Sequence, residues 1–272
     1  MDKNTVFPYH GGMIGFLIKK ALFDFWDNMF RLVLLNLGFI ASLTIPILLP
    51  GLISIPVFPI LVFVAGILWC FVYLAAAALS VKAVSDYGVF GFFDFLANLK
   101  KGWKTGLIFG ITVILLSAIA RIAITSYLDM YSLFGLFLAA VIFWTMVTAI
   151  CSLQFFFAIY ARLDTRLVKA FKKSFIIFFD NPGFAIYSLL HTTVLLIISA
   201  VLALLLPGPA GILLFLDEAL RLRLLKYDWL DANPNETGSK KRQKIPWDEI
   251  LIDEREKTGT RSFRSFIFPW KD

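Results

Sequence analysis

Cysteine and histidine are the scarcest chemistry-bearing residues in this chain of 272 residues, with two of each. Cys70 and Cys151 both fall inside apolar runs. Neither a disulfide framework nor a thiolate metal site is therefore supported, and buried, inert thiols are expected. His10 and His191 are the only imidazoles. The chain has no Walker-type Gly-Lys-Ser/Thr loop, no Gly-x-Ser-x-Gly elbow and no His-Glu-x-x-His. Zinc chemistry and a Ser-His-Asp hydrolase are thus unsupported, and the expectation is a protein that is not an enzyme and has no cofactor. Met1 to Gly12 lacks the short apolar core and small-residue cleavage site of a signal peptide, so the first apolar helix is expected to remain as an uncleaved anchor. The Asn235-Glu236-Thr237 sequon lies on the side read below as cytoplasmic, and it is taken as chance.

What the chain does have is apolar residues, 59% of the total, with a mean hydropathy of +0.80. A water-soluble domain of this size should be nearer roughly half apolar. The class is therefore an all-α, polytopic membrane protein, with the lipid bilayer as its first partner. The net charge of +7 would also fit a nucleic-acid binder, but the Lys and Arg residues cluster beside apolar runs. There they meet anionic lipid and set topology, so no nucleic-acid partner is expected.

A hydrocarbon core of about 30 Å needs roughly 20 apolar residues in helix, the form that satisfies its own backbone polar groups. Leu32 to Pro50, Ile60 to Val81, Gly106 to Ile124, Leu133 to Ile159 and Phe184 to Leu206 meet that standard. Pro209 to Leu225 is shorter and carries Asp217 and Glu218. Basic residues concentrate before the first run, in the second and fourth connections and after Arg221, whereas Pro50 to Pro59 and Pro207 to Gly208 have none. A sixth span puts all these basic segments on one side, so the positive-inside rule favours six transmembrane helices with both termini cytoplasmic. The expected domains are an integral membrane helical domain, 1–226, and a cytoplasmic C-terminal tail, 227–272.

Lys19 to Asn28 (Lys-Lys-Ala-Leu-Phe-Asp-Phe-Trp-Asp-Asn) precedes the first apolar run, and two later stretches resemble it. Phe93-Asp94-Phe95-Leu96-Ala97-Asn98 keeps both Phe residues, the Asp and the Asn, and Lys172 to Asn181 keeps the Lys pair, one Phe and the Asp-Asn. Three hairpins are expected, each preceded by a cytoplasmic helix lying in the interface with its Lys residues in the aqueous layer. Asn28, Asn98 and Asn181 would mark the hinges into the spans, since Asn supports caps and turns. Shared juxtamembrane composition explains the same stretches without a repeat. In the first outer hairpin, Pro46, Pro50, Pro56 and Pro59 are too close for one unstrained helix, so a kinked, partly non-helical tip is expected.

Polar groups inside spans are costly, which makes them default site candidates. Asn36, Gln154, His191, Asp217 and Glu218 could form one inner polar layer, with Asp217 or Glu218 as counter-charge to His191. They could equally be hydrogen-bonded ties between helices, or Asp217 and Glu218 could pair with Arg221 one turn on. In the tail, Ile245-Pro246-Trp247 and Phe268-Pro269-Trp270 place a fixed turn beside an indole. Trp247, Phe268 and Trp270 are therefore candidate anchors onto the membrane domain or onto a partner.

Phe23-Asp24-Phe25-Trp26 followed by Leu35-Asn36-Leu37-Gly38-Phe39-Ile40-Ala41-Ser42-Leu43-Thr44-Ile45-Pro46, with Phe171 to Phe175 and Asn181-Pro182, resembles the YesL-like family of bacterial integral membrane proteins, a domain of unknown function. The resemblance covers roughly Phe16 to Leu225. It implies a bacterial cytoplasmic-membrane protein, associated with carbohydrate uptake or polysaccharide use, and brings no catalytic residues. The leading expectation is a non-enzymatic accessory or scaffold protein of a membrane transport or envelope system. The other is a small-solute transporter or channel that uses the inner polar layer.

Overall fold

The computed structural model describes residues 12–163, 166–233 and 245–259. Among these residues all regular structure is helical: α1 (Met13–Asp27), α2 (Met29–Leu48) with a 3-10 turn (Leu49–Leu52), α3 (Phe58–Ser85), α4 (Phe92–Leu128), α5 (Leu133–Leu153), α6 (Phe156–Leu163), α7 (Leu167–Asp180), α8 (Pro182–Val201), α9 (Gly208–Ala232), α10 (Trp247–Ile250) and α11 (Ile252–Thr258). Five stretches are long and apolar enough to cross a membrane: Met29–Leu52, Phe58–Ser85, Phe92–Leu128, Leu133–Leu163 and Pro182–Val201. The α9 helix is not among them. It is nonetheless a central element, packed against α1, α2, α3, α6 and α8, and Leu213 to Leu220 are all buried.

The α2–α3 hairpin is joined by polar ties and a close backbone approach. Tyr73 OH donates to Leu35 O at 2.8 Å, and Trp69 Nε1 donates to Ser42 Oγ at 3.1 Å. The expected proline break falls beyond Pro46, which lies inside α2. Its ring faces Gly66 of α3, where a Cβ would come within 2.8 Å of the proline Cδ. Absence of a side chain at Gly66 leaves room for the ring. The chain turns in the 3-10 segment and at Val57, whose φ of 75° is left-handed.

The α3–α4 contact is the most extensive in the molecule, and it is built from small residues. On α4 it uses Gly102, Gly106 and Gly110, one turn apart, which approach Ala75 and Leu79, the Phe71–Val72 backbone, and Leu68 and Phe71 of α3. Small residues at that spacing let two backbones approach where the solvent is lipid and van der Waals packing drives association. Further along, Phe109 of α4 stacks on Phe156 of α6 at 4.4 Å between ring centroids. Phe156 in turn meets Phe171 of α7 at 4.5 Å, which ties the α6–α7 corner to the bundle.

The three stretches read as a repeat take different forms. Asn28 separates α1 from α2, and Asn181 separates α7 from α8. Asn98 is not a hinge: α4 continues through it without a break, and its side chain donates to Ser80 Oγ at 3.0 Å. The Gly91–Asp94 capping interaction starts α4 early, so the segment expected to be a separate interfacial helix is the first part of a long one. The α1 helix also departs from expectation. Lys19 and Lys20 are buried, and Phe16, Leu17 and Phe23 pack into the core.

Candidate functional site

The α3 helix ends at Ser85, and the chain turns through Asp86 and Tyr87, the latter with a left-handed φ of 61°. Around this corner lie charged side chains from four helices. Lys20 of α1 pairs with Asp24 one turn on, donates to Ser85 O at 3.0 Å and lies 3.5 Å from Glu218 Oε1 of α9. Its ammonium also sits 4.2 Å from the centroid of the Tyr87 ring, a cation–π contact. Arg162, near the end of α6, pairs with Asp217 of α9, donates to Ser85 Oγ at 2.7 Å and pairs with Asp86 at 2.9 Å. Arg221 of α9 donates to Ser85 O at 2.7 Å, pairs with Asp86 and reaches Glu254 of α11 at 2.7 Å.

The tail segment completes the corner. Leu251 is fully buried and Glu254 nearly so. Tyr87 OH donates to Glu254 Oε2 at 2.8 Å and lies 3.2 Å from Thr258 Oγ1. Burial pushes the Tyr87 hydroxyl well above the usual tyrosine range, and neighbouring Glu254 pushes the same way against the Thr258 hydrogen bond. The phenol is thus a neutral donor throughout the physiological range. Trp247 stands with its ring 5.8 Å from the Arg223 guanidinium, while Phe268 and Trp270 lie outside the described residues.

The five polar residues expected to share a layer are dispersed. Asn36 Nδ2 donates to Leu205 O and Pro207 O, both at 2.9 Å, and its Oδ1 accepts from Ala210 N at 2.8 Å. It therefore clamps the α8–α9 turn, where Gly208 leaves no room for a side chain against the amide. Gln154 lies in the break between α5 and α6 and donates to Ala185 O at 2.9 Å. His191 stacks on Phe215 at 4.2 Å and borders an apolar cavity of about 370 Å³ walled by α1, α8 and α9. The expected His191 counter-charge is not formed, because Asp217 is taken by Arg162 and Glu218 by Lys20. Nor does Arg221 serve them locally, since it points to Asp86 and Glu254.

Lys20, Asp24, Asp86, Tyr87, Arg162 and Glu254 were not singled out from the sequence as a site. One signal was present, the i, i+4 spacing of Lys20 and Asp24, which permits a pair on one helix face. The long-range partners have no local signature. Chemically, the corner is an assembly of inter-helix ties in which each cation is shared between elements distant in sequence.

Asn36→Ala tests one such tie. It leaves two buried carbonyls and one amide at the α8–α9 turn without their partner, and a loss of roughly 1–3 kcal/mol is expected. The unfolding midpoint in a detergent titration measures it; an unchanged midpoint would show that the clamp contributes nothing.

No family model, curated protein or solved structure matches the chain.

Proposed function

We propose that this is a non-enzymatic accessory or scaffold protein of the bacterial cytoplasmic membrane, with its charged end on the cytoplasmic side and the tail as its contact element for a membrane transport or envelope protein. The observation that carries this reading is the closure of the charged corner by the chain's own tail: Glu254 is consumed by Arg221 and Tyr87, and Leu251 is buried. Charges engaged in this way tie elements together, and the sequence that follows Gly259, with Phe268 and Trp270, is polar and aromatic in composition. The distribution of Lys and Arg supports the orientation, by the positive-inside rule. The third hairpin in this reading is α8–α9. Its turn meets α2 at Asn36, about 18 Å along the helix from Leu48, so in this reading α8 enters from the cytoplasmic side and α9 returns to it. The resemblance to YesL-like proteins supports a carbohydrate-related system as the first place to seek the partner.

Truncation after Gly259 provides the test, because it removes residues 260–272 and spares Glu254. The full-length tagged chain, solubilised from its native membrane, is expected to carry a membrane protein in fixed stoichiometry. That protein should be lost on truncation while the unfolding midpoint stays the same. Equal recovery with both chains, or a solute flux catalysed by the purified chain in vesicles, would overturn the reading.

A further inference from the structure

The charges at the Ser85–Tyr87 corner do not balance around Lys20. Arg162 faces Asp217, Arg221 faces Glu254, and Asp86, which is 39% exposed, accepts from both arginines. Among the described residues, Lys20 is the ammonium within 4 Å of both remaining carboxylates, Asp24 and Glu218, while the exposed Lys257 lies beyond, 5.8 Å from the Tyr87 ring centroid. The side chains of Lys20 and Glu218 have no exposure at all. Neither carboxylate oxygen of Glu218 receives a hydrogen bond, and its Oε1 lies 3.5 Å from the same Lys20 ammonium that pairs with Asp24. An ionised carboxylate in that position would be a buried anion with no hydrogen bond and only a shared ammonium at 3.5 Å, beside two further carboxylates at Asp24 and Asp217, and such an arrangement is strongly disfavoured. A metal cation would not relieve it, since the Lys20 ammonium already fills the cation position between Asp24, Ser85 O and the Tyr87 ring.

We infer that Asp24 and Glu218 form a single-proton binding site, in which the Glu218 carboxyl keeps its proton and donates it to the Asp24 carboxylate, itself held by Lys20. Two carboxylates forced to share one site ionise one at a time. The proton joins α1 to α9, two helices that wall the cavity beside His191. Its loss puts adjacent anions between them. The site stands apart from the proposed partner function and needs no partner to be detected.

Infrared spectroscopy of the full-length chain in lipid nanodiscs tests this near neutral pH. A carboxylic-acid carbonyl band is expected in the wild type and should be lost in Glu218→Gln. Asp24→Asn should abolish it too, even though Glu218 is retained, because one ammonium then balances one carboxylate. Thermal unfolding gives a second readout. A carboxyl protonated only in the folded state stabilises at low pH, and that contribution is lost as the pH rises. The wild type should therefore lose Tm relative to Glu218→Gln on going from neutral to alkaline buffer. Absence of the band in the wild type, or a band undiminished in both variants, overturns the proposal.

Discussion

Arg162→Met is expected to lower the stability of the folded chain by about 3–5 kcal/mol, the range found when one partner of a buried ion pair is removed. The Asp217 side chain is 1% exposed and would be left with its charge and no cation. Asp217 Oδ1 has no hydrogen-bond partner of its own, so Arg162 is the group that compensates it. Ser85 Oγ and Asp86 would lose the same guanidinium, which loosens α6 from the α3 corner. The companion Asp217→Asn in the Arg162→Met background should recover much of the loss, because it removes the uncompensated charge rather than restoring a bond. Both are read as shifts of the unfolding midpoint in a denaturing-detergent titration. Equal midpoints for Arg162→Met and wild type would mean that water reaches Asp217.

Gly106→Val is expected to be comparably disruptive, for a steric reason. A Cβ at Gly106 would lie 2.5 Å from Val72 Cα and 2.6 Å from Phe71 O, both backbone atoms that cannot turn aside. Separating α3 from α4 also disturbs the contact of Gly102 with Ala75 and Leu79, and a cost of about 3 kcal/mol follows from the overpacking of a tight interface. Gly110→Ala should cost less. There the nearest atoms all belong to side chains, Phe71 Cδ2 at 2.8 Å and Leu68 Cδ2 and Phe71 Cβ at 3.1 Å, and none to the backbone. Gly15→Ala in α1 is the control, since nothing lies within 4 Å of its Cβ position and alanine is favoured by roughly 0.5–1 kcal/mol inside a helix. Unfolding midpoints in the order Gly15→Ala, Gly110→Ala, Gly106→Val, from highest to lowest, are the expected result. A Gly106→Val variant as stable as wild type would refute the close contact.

Residues that report their environment locally were the ones legible in the chain. Apolar runs such as Ile60 to Val81 identify helices by length, because lipid requires each helix to satisfy its own backbone. Asn181 followed by Pro182 and Gly183 marks a helix boundary for an equally local reason, and it separates α7 from α8. Asn98 misled because the same Phe-Asp-Phe-x-x-Asn pattern sits where Gly91 and Asp94 cap a continuous helix. The Gly102, Gly106 and Gly110 spacing was open to view and was not used. Its meaning depends on which helix lies opposite.

The sequence by itself determined the class: a helical, membrane-type chain, because apolar content and run length depend on composition and order alone. It also identified Asp217 and Glu218 as costly charges within an apolar stretch. Only the tertiary structure decided what they face. Lys20 reaches Glu218 and Arg162 reaches Asp217 across long separations in the chain, and α9, the least apolar of the long helices, packs against α1, α2, α3, α6 and α8. Pairing between distant side chains leaves no periodicity in the chain. A charge next to a hydrophobic run looks the same whether it meets water or a buried partner.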